Sequence, residues 1–247
     1  MSMEQDWARI VAHHERLNQE ELQGIATVLF REGEGWLEEK LQTREAEALA
    51  MEMLGCLGHG GSESAAEVLL RQLESREEAL QIAAAEALKM CVPELVIQPL
   101  IEMIQRQGYN AIKAGEVVLR FGALGADAIW QLWFREGSPV SLKTQILQLL
   151  TEAKDDRVEP LAYLAFVSGE EDLIRAALDG AEKMRLTRLW GNVVLCLASP
   201  NWRLRGGAVR ILGSWGEERA QPFLVGMGVD PDPWVEEERQ AVLRRLG

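Results

Sequence analysis

The residues in this chain whose types and spacing suggest chemistry are cations and indoles. The chemistry they suggest is the binding of an anionic or protein partner, because no catalytic motif is present. An apolar residue followed by a basic one recurs as Ile112-Lys113, Leu142-Lys143, Ile174-Arg175 and Leu204-Arg205. On a helix each of these cations lies beside the apolar stripe. Two readings stand side by side. Either the stems cover the edge of the core while the heads meet nearby acids, or Lys113, Lys143, Arg175 and Arg205 form a row that meets an acidic or phosphorylated partner. The window 183–216 adds to the second reading. It holds Lys183, Arg185, Arg188, Arg203, Arg205 and Arg210 and no acidic residue. Arg203 and Arg210 are seven apart and share a helix face turned away from Leu204 and Ile211. Gly206 and Gly207 lie between them and leave backbone open to close approach. Trp202 and Trp215 flank the same helix, and Arg with Trp is the composition of interface hot spots. The competing reading gives Gly206 to tight helix packing and Trp215 to a core gap. An arginine without a partner is easily kept in water, so the cluster is not expected to be needed for folding.

Other reactive residues are sparse. Cys56, Cys91 and Cys196 are far apart and sit among apolar neighbours, which reads as buried thiols rather than a disulfide framework. His13 and His14, beside Glu15, are adjacent on an expected helix and point in different directions, so they are no chelating pair. No metal and no cofactor is expected.

The elements that position these residues follow a regular step. The second members of the apolar-basic pairs, with Ala83 and Glu236 in the same place, stand at 83, 113, 143, 175, 205 and 236. A step of about 30 residues marks a stacked repeat array. In "SPNWRLRGGAVRILGSWG", residues 199–216, Leu204, Ala208, Ile211 and Leu212 make one helical stripe. Gly213 is the expected left-handed cap. The pattern predicts first helices over about 63–74, 94–106, 126–135, 157–167, 187–198 and 218–227. It predicts second helices over about 76–90, 109–121, 139–151, 171–184, 202–213 and 234–246. Pro99, Pro160 and Pro222 are expected near first-helix starts, where the missing N–H costs nothing; Pro99 falls somewhat inside its expected helix, so a later start or a bend is expected there. Upstream, helices are expected over 4–17, 18–31 and 35–41. Residues 1–42 read as an N-terminal helical cap and 43–247 as the repeat array, the two forming one domain. The expected fold is all-α, an α-solenoid of about seven stacked helical hairpins.

Charge and hydropathy narrow the class of partner. The net charge is −13. It is uneven, with 19 acidic and 8 basic residues in the first hundred positions and 20 and 18 in the remainder. Such a chain is repelled by nucleic acid, so none is expected as a partner. No run of eighteen apolar residues occurs, so no membrane span is expected. The opening "MSMEQDWARIVAHHERL" has no apolar signal region, which makes the cytoplasm the expected compartment.

"SPNWRLRGGAVRILG", "DPDPWVEEERQAVLRRLG" and, in part, "LIRAALDGA" resemble the HEAT-repeat family, in particular the short HEAT-like repeat of phycobilin lyases. The resemblance covers about residues 43–247. It implies the helical array and leaves function open among adaptors, chromophore lyases and DNA-repair enzymes. The family's turn aspartate appears here only as Asp230. Its other positions hold Glu77, Gln107, Gly137, Gly169 and Ser199, so a regular ladder of turn acids and helix arginines is not expected. The expected function is that of a non-catalytic adaptor or scaffold for a protein partner, an acidic one being among the candidates. A phycobilin-lyase-like enzyme or chaperone is the alternative. A HEAT-like DNA glycosylase would draw on Trp130, Trp133 and Asp127, but the first two fit one core-facing helical stripe. The acids at 236–238 read as solvated surface and helix N-terminal charge.

Overall fold

The computed structural model describes residues 5–8, 10, 18–32, 44–59, 62–216 and 218–246. Among them every regular element is helical. The helix expected over 4–17 falls mostly outside the described residues. His13, His14, Glu15 and the helix expected over 35–41 lie outside them altogether. The chain divides into two compact units, residues 1–129 and 130–247.

The first unit contains α1 (Gln19–Glu32), α2 (Arg44–Gly58), α3 (Glu63–Leu73), α4 (Glu78–Leu88), α5 (Pro93–Arg106), α6 (Ala111–Leu119) and the start of α7 (Ala123–Phe134). Helices α2, α4 and α6 pack on one another in order. Each of α3 and α5 folds back on the helix that follows it. The second unit continues with α8 (Val140–Glu152), α9 (Val158–Ser168), α10 (Glu171–Lys183), α11 (Trp190–Leu195), α12 (Trp202–Trp215), α13 (Gln221–Gly226) and α14 (Pro233–Leu246). Single 3₁₀ turns flank α11 and precede α13. Here α8, α10, α12 and α14 pack in sequence order, with α9, α11 and α13 each laid on the next helix. Each unit is thus a stack of helical hairpins, the architecture of an α-solenoid. The short links are those that antiparallel neighbours require.

All twelve helices expected from residue 63 onward are present, with ends within three residues of the expected ones. Two local expectations need correction. The first concerns the end of α12, which does not stop at Gly213. It continues to Trp215, and Gly216 takes the left-handed cap with φ 67°. Gly213 instead allows α14 to approach. A Cβ there would stand 2.5 Å from Val242 Cγ2. The second concerns Pro99, which lies inside α5 because Pro93 already occupies the first turn. Pro160 and Pro222 do fall in the first turns of α9 and α13.

The core follows the expected stripes. Leu204, Ala208, Ile211 and Leu212 are buried, the last three with no exposed surface. Replacing Leu212 with Ala is expected to cost about 2–5 kcal/mol, the range for truncating a buried leucine. Gly213→Ala tests the helix contact. An exposed helical Gly→Ala change would gain about 1 kcal/mol, whereas crowding Val242 should make this one lose about 1–3 kcal/mol. Chemical denaturation of both variants measures the two values, and a gain in stability for Gly213→Ala would refute the close approach.

Candidate functional site

Four consecutive second helices of the second unit, α8, α10, α12 and α14, border a surface cleft of about 510 Å³. Gln148 comes from α8, Arg175 and Asp179 from α10, Trp202, Arg203 and Arg210 from α12, and Trp234 from α14. The local sequence explains how α12 enters the cleft. Asn201 caps the helix, its side-chain oxygen accepting from the Arg203 N–H at 2.9 Å. The same side chain donates through Nδ2 to Glu171 Oε2 at 2.7 Å, which ties the start of α12 to the start of α10. Trp202 then opens the helix. Its ring meets the Trp234 ring edge-on, with centroids 5.8 Å apart and planes at 74°. Gly206 makes room for that indole, since a Cβ there would lie 2.1 Å from Trp234 Cζ3. Tight packing is therefore the role of Gly206.

The guanidinium groups of the cleft differ in how far they are engaged. Arg210 grips Glu182 with Nε at 3.0 Å and Nη2 at 2.7 Å. Arg175 stands 3.6 Å from Asp172, and both are exposed. Arg203 has its guanidinium 5.0 Å from the centre of the Trp202 ring. No ion pair engages it among the described residues. Asp179, the one acid lining the cleft, pairs with Lys183 at 3.2 Å.

The structure brings Trp202, Arg203, Arg210 and Arg175 together and leaves the other expected site residues elsewhere. Arg205 turns away to the Asp230 carboxylate, with Nε at 2.7 Å and Nη2 at 2.8 Å. Its Nη1 donates to the carbonyls of Ser199 and Pro200. Lys143 lies 5.9 Å from the centre of the Trp133 ring. Lys113, in the first unit, donates to Gln81 Oε1 at 2.5 Å. Trp215 is buried against Trp190 with ring centroids 5.9 Å apart. Trp133 is buried, Trp130 is half-buried beside the Phe134 ring, and Asp127 is exposed.

The window that lacks acids in sequence does not lack them in space. Four of its six cations meet carboxylates outside it: Lys183 on Glu152, Arg188 on Glu159, Arg205 on Asp230 and Arg210 on Glu182. Arg185 donates to the Trp215 carbonyl. These five cations are therefore engaged within the fold, although the pairs of Lys183 and Arg188 are exposed and contribute little to stability. Sequence reasoning also missed Trp234. Its signal was a second tryptophan one repeat after Trp202, near the start of the next second helix.

Beneath the cleft a polar network fixes the start of α14. Asp230 accepts from the Asp232 N–H at 2.9 Å as well as from Arg205. Glu236 accepts from Arg239 at both oxygens, from Gln240, and from the Asp230 N–H at 2.9 Å. Arg239 is buried and also reaches the Leu224 carbonyl at 3.0 Å. Glu236 is thus helix N-terminal charge, as expected of the acids at 236–238, and in addition it is hydrogen-bonded rather than merely solvated. The Arg205 guanidinium holds the Asp230 carboxyl below the usual carboxylate range. Hydrogen bonds from Arg239, Gln240 and the Asp230 backbone bring Glu236 down to about 2.

Burial pushes the Cys196 thiol up to about 11 and raises Cys56 and Cys91 as well, so none is an activated nucleophile. Among the described residues no three His, Cys, Asp or Glu side chains gather as a metal site, and no helix is long and apolar enough to cross a membrane.

Comparison with known proteins gives no match to any family model and none to curated protein sequences. Similar solved structures include an engineered protein at 15% identity, aligned over 98% of this chain and 78% of that one with a TM-score of 0.46. Human deoxyhypusine hydroxylase in complex with glycerol aligns at 14% identity over 99% and 96%, with a TM-score of 0.41. The complex of CpcE and CpcF of phycocyanin lyase from Nostoc sp. aligns at 17% identity over 94% and 96%, with a TM-score of 0.36. No TM-score among these reaches 0.5, and the functional reading of the cleft rests on its own geometry.

The network predicts the acid limit of stability. Glu236 and Asp230 have folded-state pKa values below their unfolded ones, so their stabilisation is complete above the ordinary carboxylate range and is lost as protons bind. For Glu236 that loss runs from 4.5 down to about 2. Thermal melts across this interval should show a falling midpoint, and Glu236→Gln should flatten the fall. Arg205→Met leaves Asp230, with 2% of its side chain exposed, without its partner. A loss of about 3–5 kcal/mol is expected in denaturant titration at neutral pH.

Proposed function

We propose that this protein is a non-catalytic adaptor or scaffold that holds another protein in the cleft bordered by α8, α10, α12 and α14. The observation that carries the reading is the joint placement of two indoles and three guanidinium groups on rigid helices. Trp202 and Trp234 keep 40% and 42% of their surfaces exposed, so their rings remain available to a partner. Tryptophan and arginine contribute disproportionately to binding at protein interfaces, where their large surfaces and directional donors act together. Helical supports add precision, since side chains on packed helices are held more firmly than those on loops. Neither Arg203 nor Arg175 is needed to hold the fold. Among the described residues Arg203 has no ion pair, and the exposed Arg175–Asp172 pair is worth at most about 1 kcal/mol.

The test is affinity capture from native lysate with the full chain and with an Arg203→Glu, Arg175→Glu variant. The variant should keep the wild-type melting temperature within a few degrees and lose most of the proteins recovered by the wild type. An Arg120→Glu variant, altered at an exposed position in the first unit, serves as the charge control and should recover them unchanged. Equal recovery by the cleft variant would reject this surface as the binding site.

A further inference from the structure

We infer that the occupant of the cleft is a peptide segment of the partner in which an acidic residue lies beside an aromatic or large aliphatic one. The inference rests on the cleft being the docking surface and names what it docks. Charge is the first argument. Three arginines border the cleft against one aspartate, and that aspartate is engaged by Lys183. The arginines are unequal. Arg210 is filled by Glu182 at two nitrogens, and Arg175 is held by a single 3.6 Å pair. Arg203 keeps its whole fork for a ligand. A guanidinium resting near an indole presents a planar edge that matches a carboxylate through two parallel hydrogen bonds.

The position of Arg203 is the second argument. It is the second residue of α12, in a first turn that contains no acid. A helix N-terminus carries partial positive charge, so a cation there is locally unfavourable and an acid favourable. Three of the other second helices follow the rule: α4 starts with Glu78, α10 with Glu171 and Asp172, and α14 has Glu236 in its first turn. Helices α6 and α8 also lack an acid in the first turn, but their cations, Lys113 and Lys143, stand third and fourth, whereas α12 places Arg203 second. A residue kept against local helix electrostatics, without a compensating ion pair, marks a site of function rather than of folding.

The indoles supply the third argument. The edge-on Trp202–Trp234 pair leaves nearly half of each residue exposed beside the Arg203 fork. An aromatic or aliphatic side chain adjacent to the bound carboxylate covers that surface. The chain's net charge of −13 favours the approach of basic partners. An acidic segment is therefore recognised by the fork at short range, and its selection runs against the overall field of the molecule.

The test is selection of displayed random twelve-residue peptides on the immobilised full chain, with the same selection on Arg203→Glu. Enriched peptides are then measured as labelled synthetic peptides by fluorescence anisotropy. The expected result is enrichment of Asp or Glu next to Phe, Tyr, Trp or Leu on the wild type, and loss of the acidic enrichment on the variant. Changing the peptide's acid to its amide should weaken binding at least tenfold. Arg203→Lys should retain part of the affinity, and Arg203→Glu should melt at or above the wild-type temperature. Enrichment of basic or uncharged peptides, acidic enrichment that persists on Arg203→Glu, or no enrichment at all would overturn the inference. If it is overturned while the cleft variant still loses its captured proteins, the docking surface stands and only the class of occupant is wrong. If capture is also unchanged, both readings fall together.

Discussion

Within each unit the second helices pack on one another in sequence order, and every other interaction in a unit has to respect that contact. A side chain at the edge of such a contact meets groups about one repeat away in sequence. Lys183 reaches back to Glu152, Arg210 to Glu182 and Asn201 to Glu171. Arg185 reaches forward to the Trp215 carbonyl and Arg205 to Asp230. In the first unit Lys113 reaches Gln81 by the same step. Stacking therefore sets polar pairing as well as apolar burial. The pairs are varied in chemistry because only their position is repeated.

This explains which features were legible in the chain and which were not. Helix positions were legible because they depend on local stripes, turn residues and spacing. Leu204, Ala208, Ile211 and Leu212 declare their face without reference to any distant residue. The end of α12 was ambiguous because "LGSWG" offers two glycines. Val242, some thirty residues on, decides that Gly213 is a packing position and leaves the cap to Gly216. The window without acids misled for the same reason. Charge counted along the chain has one dimension, and the acids that answer those arginines sit in neighbouring hairpins. Trp202, Arg203 and Arg210 were visible as a cluster because they share one helix. Trp234 was not, because the space it fills is made by Gly206 in the preceding hairpin.

Arg203 and Arg205 show how far geometry separates residues that look alike. They are two positions apart in one helical turn. Arg205 is 12% exposed along its side chain and spends its donors on Asp230 and two turn carbonyls. Arg203 is exposed, rests against Trp202 and meets no carboxylate among the described residues. Neighbours at this spacing point about 200° apart on a helix, so one faces the turn and the other the cleft. In this hairpin the recurring basic residue is thus the engaged one, and the irregular arginine two positions before it is the exposed one.

The structural arginine still shapes the cleft. A buried ion pair is weak grounds for claiming net stability, since desolvation offsets much of the attraction. Its clearer effect is on position. Arg205 fixes the Asp230 carboxylate, Asp230 accepts from the Asp232 N–H, and the Asp232 carboxylate accepts from the Trp234 and Val235 N–H groups at 3.0 and 3.2 Å. That chain of hydrogen bonds runs from α12 through the turn to the first residues of α14. It sets where α14 begins and hence where the Trp234 indole lies over Gly206. The aromatic wall of the cleft is accordingly held from below by a residue that never touches the cleft. If the cleft is the docking surface proposed above, rigidity of that kind reduces the ordering cost of binding, because the pair that faces the turn keeps the indole in place before a partner arrives.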